Sequence, residues 1–336
     1  MHNSNTLKKI MITGASGMVG NAIKRAYLNS EKRNSKMYEI LAPSRNELNL
    51  LNFEEIKNWF KKNRPDIVIL AAAKVGGIFA NKNNPSEFIL HNLKIQTNLI
   101  EISNNFKVDK FLFLGSSCIY PRLATQPITE EELLSGQLEI TNEYYAIAKI
   151  AGIKLCQALA MQKGFNSICL MPTNLYGPGD NYQESNSHVL PSLIKKFSEA
   201  KNKNIKNVIC WGDGSPLREF LYVDDLAEAC IFAIENLNLI SDNYPIDKNG
   251  NPLSWINVGS NQEISIKELA VMIAKLVGFE GSILWDKKMP NGTPRKKLDT
   301  SVLDKLGWKS KTNLEEGIKL TLKAYNKDLK LNRLRT

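Results

Sequence analysis

The chain has no run approaching the eighteen or so apolar residues that a membrane-crossing helix requires, so no membrane partner is expected. Cysteine is scarce and scattered: Cys118, Cys156, Cys169, Cys210 and Cys230 are odd in number and contain no C-x-x-C pair, against both a disulfide scaffold and a zinc site. Three of the five fall in apolar helix or strand segments and read as small buried hydrophobes. Cys118 differs, because it follows two serines where a strand gives way to a loop. Aromatic residues interleaved with basic ones are also missing. The net charge of +10 arises from 44 Lys and Arg against 34 Asp and Glu, with the lysines spread along helical patterns among many asparagines. That describes a solvated surface, hospitable to a small anion such as a diphosphate, and predicts no nucleic-acid partner. The polar stretch Met1 to Lys9 leads directly into Ile10-Met11-Ile12 and leaves no room for a signal peptide, so a cytoplasmic protein is expected.

What is present is size and rhythm. With 336 residues, 43% of them hydrophobic, the chain can bury one large core or a main domain with a smaller companion. Brief apolar runs without alternation at Lys9 to Thr13, Glu39 to Ala42, Asp66 to Ala72, Lys110 to Gly115 and Ser167 to Met171 predict fully buried strands. Helical patterns separate them at Met18 to Asn29, Phe53 to Lys62, Ser86 to Phe106 and Asn142 to Lys163, and Asn52 with Glu55 reads as a variant capping box. This repetition predicts an α/β fold with a doubly wound parallel sheet, whose ligands sit beyond the carboxyl ends of the strands. After about residue 172 the rhythm loosens around Pro172, Gly177, Pro178, Gly179, Pro191, Gly212, Gly214 and Pro216. A smaller mixed α/β lobe is expected there, with some segments returning to the sheet. Asp242 to Pro252 reads as a flexible loop.

The motifs give the fold a chemistry. Gly14-Ala15-Ser16-Gly17-Met18-Val19-Gly20 follows a predicted strand and opens a predicted helix, the context a dinucleotide-binding turn requires. Gly14 would allow the tight turn, Gly17 the approach of backbone to pyrophosphate and Gly20 close helix packing, with the helix N-terminus facing the phosphates. Residues 1–172 thus read mainly as a Rossmann dinucleotide-binding domain and 173–336 mainly as the substrate-binding lobe. The second strand ends Leu41-Ala42-Pro43-Ser44-Arg45, with no acid for ribose hydroxyls, so Arg45 favours NADP by pairing with its 2′-phosphate. The other reading of Arg45 is a surface cation near Glu47. Tyr145 and Lys149 share a helix face, which would let the ammonium lower the phenol pKa for proton exchange with a carbonyl oxygen that Ser116 could also bond. Tyr244 and Lys248 have the same spacing and receive no role.

The segments Ala71-Ala72-Ala73-Lys74-Val75-Gly76-Gly77, Gly115-Ser116-Ser117-Cys118-Ile119-Tyr120-Pro121, Tyr145 to Gly152, Pro172-Thr173-Asn174-Leu175-Tyr176-Gly177 and Arg218-Glu219-Phe220-Leu221 resemble the GDP-L-fucose synthase family of extended short-chain dehydrogenases/reductases. The likeness runs from about Lys9 to Tyr325. It implies an NADPH-dependent enzyme that epimerises GDP-4-dehydro-6-deoxy-D-mannose at C3 and C5 and then reduces C4. By this resemblance Cys118 is the base and His188 the proton donor, Ser116 and Tyr145 polarise the carbonyl, and Lys149 supports Tyr145. It also implies cofactor contacts from Leu114, Gly115, Ser116, Ser117, Lys149, Pro172, Thr173, Asn174, Leu175 and His188. Substrate contacts are implied from Lys196, Trp211, Arg218 and Asn291, and a homodimer through the two long helices. The chain departs from the family in having Ala15 and Ser16 where a basic residue is common, Asn291 where an acid is common and Lys196 where arginine is common. Two alternatives stay open: a GDP-sugar epimerase or reductase making another deoxyhexose, and a non-catalytic NADP-binding regulator.

Overall fold

The computed structural model describes residues 7–34, 38–184, 186–239, 241, 244–247, 250–289 and 291–335. Its first half alternates β1 (Lys8–Thr13), α1 (Met18–Asn34), β2 (Tyr38–Leu41), α2 (Phe53–Asn63), β3 (Ile67–Leu70), α3 (Ile78–Asn83), α4 (Pro85–Asn105), β4 (Lys110–Leu114), α5 (Glu143–Lys163) and β5 (Ser167–Pro172). There follow β6 (Asn174–Tyr176), α6 (Val189–Asn202), β7 (Asn207–Trp211), β8 (Leu217–Tyr222), α7 (Val223–Asn236) and β9 (Trp255–Val258). The last elements are β10 (Glu263–Ser265), α8 (Ile266–Val277), β11 (Ser282–Asp286), β12 (Arg295–Lys296), α9 (Ser301–Lys305) and α10 (Leu314–Lys330).

Six strands form one parallel sheet in the order β2-β1-β3-β4-β5-β9. Successive side chains of a strand point to opposite faces, and here both faces are covered. On one side Ile10, Ile12, Ile69, Leu112 and Leu170 pack with Ala22, Ile23, Leu226 and Cys230 of α1 and α7. On the other, Met11, Val68, Leu70, Phe111 and Phe113 meet Ile56, Phe60, Leu99 and Ile153 from α2, α4 and α5. This two-sided burial is why the inner strands carry unbroken apolar runs, whereas β2, at the edge of the sheet, is only half-buried and exposes Glu39, against the expectation of a buried strand. Strand order reverses between β1 and β3, and the crevice beyond their carboxyl ends is where such sheets take their ligands.

A third core, containing Tyr176, Leu193, Phe197, Phe220, Leu269, Ile273 and Ile318, organises the rest of the chain. Around it β8 lies between β10 and β12 and also pairs with β6, while β7 pairs with β11. β9 and α7 come from the second half yet complete the large sheet and its cover.

Local chemistry sets several boundaries. Asn52 Oδ1 accepts from the amides of Glu54 and Glu55 while its Nδ2 donates to Glu55 Oε1 at 2.8 Å, which starts α2 as the sequence suggests. β3 ends at Leu70 rather than Ala72, because the Ala72 amide leaves the ladder for the Thr13 hydroxyl at 3.2 Å. Within Asp242 to Pro252, residues 242, 243, 248 and 249, Lys248 among them, lie outside the described residues. Tyr244 is buried in the first core, and Ile246 bridges to Pro252.

Candidate active site

The turn after β1 is built for close approach. Gly14 has φ +69°, and a Cβ there would lie 2.9 Å from the Ala72 backbone, so glycine is required both by conformation and by space. Gly17 donates to the Gly14 carbonyl at 2.9 Å, and Asn21 donates back to Gly17 at 3.0 Å, which folds the turn into the start of α1. A Cβ on Gly20 would stand 2.3 Å from the Gly14 oxygen. Gly20 therefore packs the helix against its own turn. The first amides of α1 have no carbonyl one turn earlier to bond, so Met18 and Val19 face the switch-point crevice with the positive end of the helix. The unbonded amides at this helix start suit a pyrophosphate, and a side chain at Gly14 would break the turn against the Ala72 backbone. Arg45 is exposed, just beyond β2, and Glu47 is engaged with the Ser44 amide at 2.7 Å rather than with Arg45. Among the described residues Arg45 makes no ion pair, leaving it free for an anion.

The end of β4 carries the second group of residues. After Leu114 and the buried Gly115, Ser116 caps a short 3-10 turn over Ser117–Ile119, its hydroxyl oxygen accepting from the Cys118 amide at 3.2 Å. A hydroxyl has one proton to give, and accepting that amide leaves it available. α5 packs tightly on this strand: a Cβ on Gly152 would lie 2.6 Å from the Phe113 ring. Tyr145 and Lys149 ride on that helix. Lys149 is buried and donates to the Leu114 carbonyl at 2.8 Å. Burial pulls its ammonium down to about 7. The Tyr145 phenol, by contrast, is pushed up, mainly by burial and then by Cys118, with the Ser116 hydroxyl pulling it back. The sequence-based expectation of a phenol lowered by Lys149 is thus reversed in this state. The lysine is engaged by Leu114, and burial outweighs the Ser116 hydrogen bond.

Cys118 is partly accessible and its sulfur has two neighbours that the sequence did not single out. Asn142 Nδ2, at the start of α5, lies 3.4 Å away and Lys296 Nζ, on β12, 3.6 Å away. The remaining cysteines, Cys156, Cys169, Cys210 and Cys230, are at most 3% exposed. His188 caps the N-terminus of α6, placed there by the loop after β3: Gly77 donates to the Asn186 carbonyl at 3.1 Å, and a Cβ on Gly77 would strike the Ser187 oxygen at 2.6 Å. The imidazole is exposed at the start of α6. The surrounding protein first, and the charge of Lys296 second, hold it below its ordinary value, with access to water tempering the first.

The four residues expected to touch substrate are linked in a chain. Lys196 Nζ stands 5.7 Å from the Trp211 ring centroid and donates to the Ile209 carbonyl at 3.2 Å. Trp211 is 48% exposed at the end of β7, a large aromatic face open for stacking. Asn291 Oδ1 accepts from the Asp213 amide at 3.0 Å, and a Cβ at its neighbour Gly292 would be 3.4 Å from Arg218 Nη2. Arg218 sits opposite Lys296 in the β8–β12 register, which connects this surface to Cys118. Leu175 packs against the first core, while Thr173 Oγ1 and Asn174 Nδ2 both donate to the Glu219 carbonyl, at 3.2 and 2.8 Å. Those side chains, just past Pro172, tie the large sheet to β8. Arg335, which no motif indicated, brings Nη1 to 3.8 Å from where a Gly17 Cβ would be.

A doubly wound sheet with a dinucleotide cradle at its switch point, and a hydroxyl, thiol and phenol beyond the next strand ends, defines a nucleotide-dependent enzyme of the oxidoreductase and epimerase class. The chain belongs to the NAD dependent epimerase/dehydratase family, whose model matches residues 10–246. It is 49% identical over 318 residues to the probable GDP-L-fucose synthase 1 of Oryza sativa subsp. japonica, covering 94% of this chain and 92% of that one. A GDP-6-OMe-4-keto-L-xylo-heptose reductase from C. jejuni superposes with a TM-score of 0.87 at 33% identity, covering 96% and 98% of the two chains. MlghC, a GDP-mannoheptose C4 reductase from Campylobacter jejuni with NADP bound, gives 0.83 at 35% identity, covering 95% and 98%. Among the described residues no helix is long and apolar enough to cross a membrane.

Proposed function

We propose that this enzyme converts GDP-4-dehydro-6-deoxy-D-mannose to GDP-L-fucose with NADPH, by epimerisation at C3 and C5 followed by reduction at C4. The observation that carries this reading is the Cys118 thiol beside Ser116 and Tyr145, because simple reduction of a ketone needs a hydroxyl and a phenol but no second base. The relative from Oryza sativa supports the same substrate class.

Gly14 through Gly20 would hold the pyrophosphate, and Arg45 would pair with the 2′-phosphate. Leu114, Gly115, Ser117 and Lys149 at β4, and Pro172 to Leu175 at β5, would hold the nicotinamide half. When bound, the dinucleotide supplies hydride to the sugar ketone. Lys196, Trp211, Arg218 and Asn291 hold the GDP portion, the two cations on its diphosphate and the indole face for stacking. Cys118, as the sulfur anion, removes the proton beside the ketone, and the C–H electron pair moves to the carbonyl oxygen. Ser116 and Tyr145 donate hydrogen bonds to that oxygen. His188 returns a proton to the other face. In the second step Tyr145 passes its proton to the same oxygen as C4 is reduced. One oxyanion site thereby serves two reactions.

The chain divides, in this reading, at about residue 172 into a cofactor domain and a substrate lobe. The protein is cytoplasmic and acts as a homodimer, for which the exposed apolar side chains Leu90 on α4 and Ile147 and Met161 on α5 offer a surface. A second reading, a reductase for another GDP-linked ketosugar, is favoured by the likeness to the heptose reductases. Incubation of the purified protein with GDP-4-dehydro-6-deoxy-D-mannose and NADPH, followed by identification of the sugar, decides between them. GDP-L-fucose is expected, and a product with unchanged C3 and C5 configuration would overturn the epimerase step.

A further inference from the structure

We infer that Lys296 is a positioning residue for the proton transfers at carbon, its ammonium holding the Cys118 sulfur as the anion that acts as base. This deepens the proposed function and rests on its assignment of Cys118.

Among the described residues the Lys296 ammonium has one hydrogen-bond partner, the Cys118 sulfur. Arg295 donates to Glu263 at 2.8 Å on one side, and Leu298 is held by its amide to Glu219 Oε2 at 2.9 Å on the other. Between them Lys296 pairs in register with Arg218 and is only partly exposed. Its Nζ reaches Cys118 Sγ at 3.6 Å, and among the described residues it makes no ion pair with a carboxylate. A half-buried ammonium without a carboxylate is best satisfied by an anion, and the sulfur is the group within reach.

The other groups facing the sulfur come from every neighbouring element. Tyr145 from α5 is neutral, and Arg218 from β8 adds a second positive charge. Asn142 contributes a dipole at 3.4 Å. Glu139, the nearby carboxylate, pairs with Arg122 at 3.3 Å and accepts from Thr293. His188 feels Lys296 as a like charge. One cation therefore favours the anion on sulfur and makes the protonated imidazole a readier donor. The protons balance: the sulfur gains the carbon-bound proton, His188 gives one up to the other face, and the net result is inversion at carbon.

Alkylation by iodoacetamide reads the sulfur directly, since the thiolate is the nucleophile and the other four cysteines are buried. At pH 7, Lys296→Met is expected to slow Cys118 modification about tenfold, with Lys296→Arg close to wild type and all three converging at a pH that ionises every thiol. Exchange of substrate C3 and C5 hydrogens with deuterated water should slow by a similar factor, while the NADPH dissociation constant stays unchanged and reports an intact site. Equal alkylation of Lys296→Met and wild type at pH 7, or a slowing that persists equally at high pH, overturns the inference. Slowed alkylation with unimpaired exchange would remove Cys118 as base and leave its pairing with Lys296 standing.

Discussion

Lys149 donates its hydrogen bond to the Leu114 carbonyl at 2.8 Å and meets Tyr145 only across the ring, 5.8 Å from its centroid. The lysine thereby pins α5 to the end of β4, and Tyr145 inherits its position from that tie. The phenol stays protonated at neutral pH because burial opposes its ionisation. It is poised as a proton donor rather than as a phenolate.

Tyr145→Phe is therefore expected to lower the rate of C4 reduction by a factor on the order of a hundred or more, with NADPH binding retained. Stopped-flow loss of NADPH absorbance under single-turnover conditions measures the step. Reduction at near wild-type rate would dismiss the phenol.

Arg45→Ala should raise the Michaelis constant for NADPH by about tenfold or more and leave that for NADH almost untouched, because only NADPH carries the 2′-phosphate. Matched shifts for the two cofactors would make Arg45 an ordinary surface charge.

In Cys118→Ser, deuterium uptake at C3 and C5 should fall by a factor on the order of a hundred, since a hydroxyl is a far poorer base than a thiolate at neutral pH. Mass spectrometry of substrate incubated in deuterated water without NADPH gives the answer. Uptake at the wild-type rate would shift the base assignment to another group, His188 first.

Stability should depend on pH through Glu130, a buried carboxyl that burial raises to about 7. Its folded value lies above its ordinary one, so the folded state holds the extra proton between about pH 4.5 and 7 and loses stability as pH rises through that window. Glu130→Gln keeps an acceptor for the Asn257 amide without the charge. The variant should gain stability relative to wild type above about pH 7, by roughly 1–3 kcal/mol, and show little gain near pH 4.5. Denaturant unfolding at the two pH values tests this, and a pH-independent difference would contradict it.

The sheet was legible in the sequence because strands buried on both faces must be apolar throughout, as β3 and β5 are, and because Gly14 marks where one strand must turn sharply. The second lobe was less so. β7 exposes alternate residues, including Ile209 and Trp211, and β10 and β12 are only three and two residues long, too short for a periodicity to declare itself. Within the site, Ser116, Cys118 and Tyr145 announced themselves through neighbours in sequence. Lys296 could not, since Arg295-Lys296-Lys297 looks like a solvated run of cations until β12 sets it opposite Arg218. Glu219 was equally hidden. A fully buried carboxylate that accepts from the amides of Ser260, Asn261 and Leu298 is defined by segments distant in sequence, and nothing beside it in the chain reveals that duty.

The span between Cys118 and Lys296, 178 residues, also sets an order of events during synthesis. A growing polypeptide has β1 through β5 in hand well before β9 arrives to finish the sheet, and β12 emerges later still. Contacts of such separation form late, after their loop-closure entropy has been met. A nascent chain at that stage already contains the sulfur and the dinucleotide turn but not the cation beside the sulfur. The sulfur and the dinucleotide turn are thus present long before the cation, and the pairing of Cys118 with Lys296 awaits nearly the whole chain.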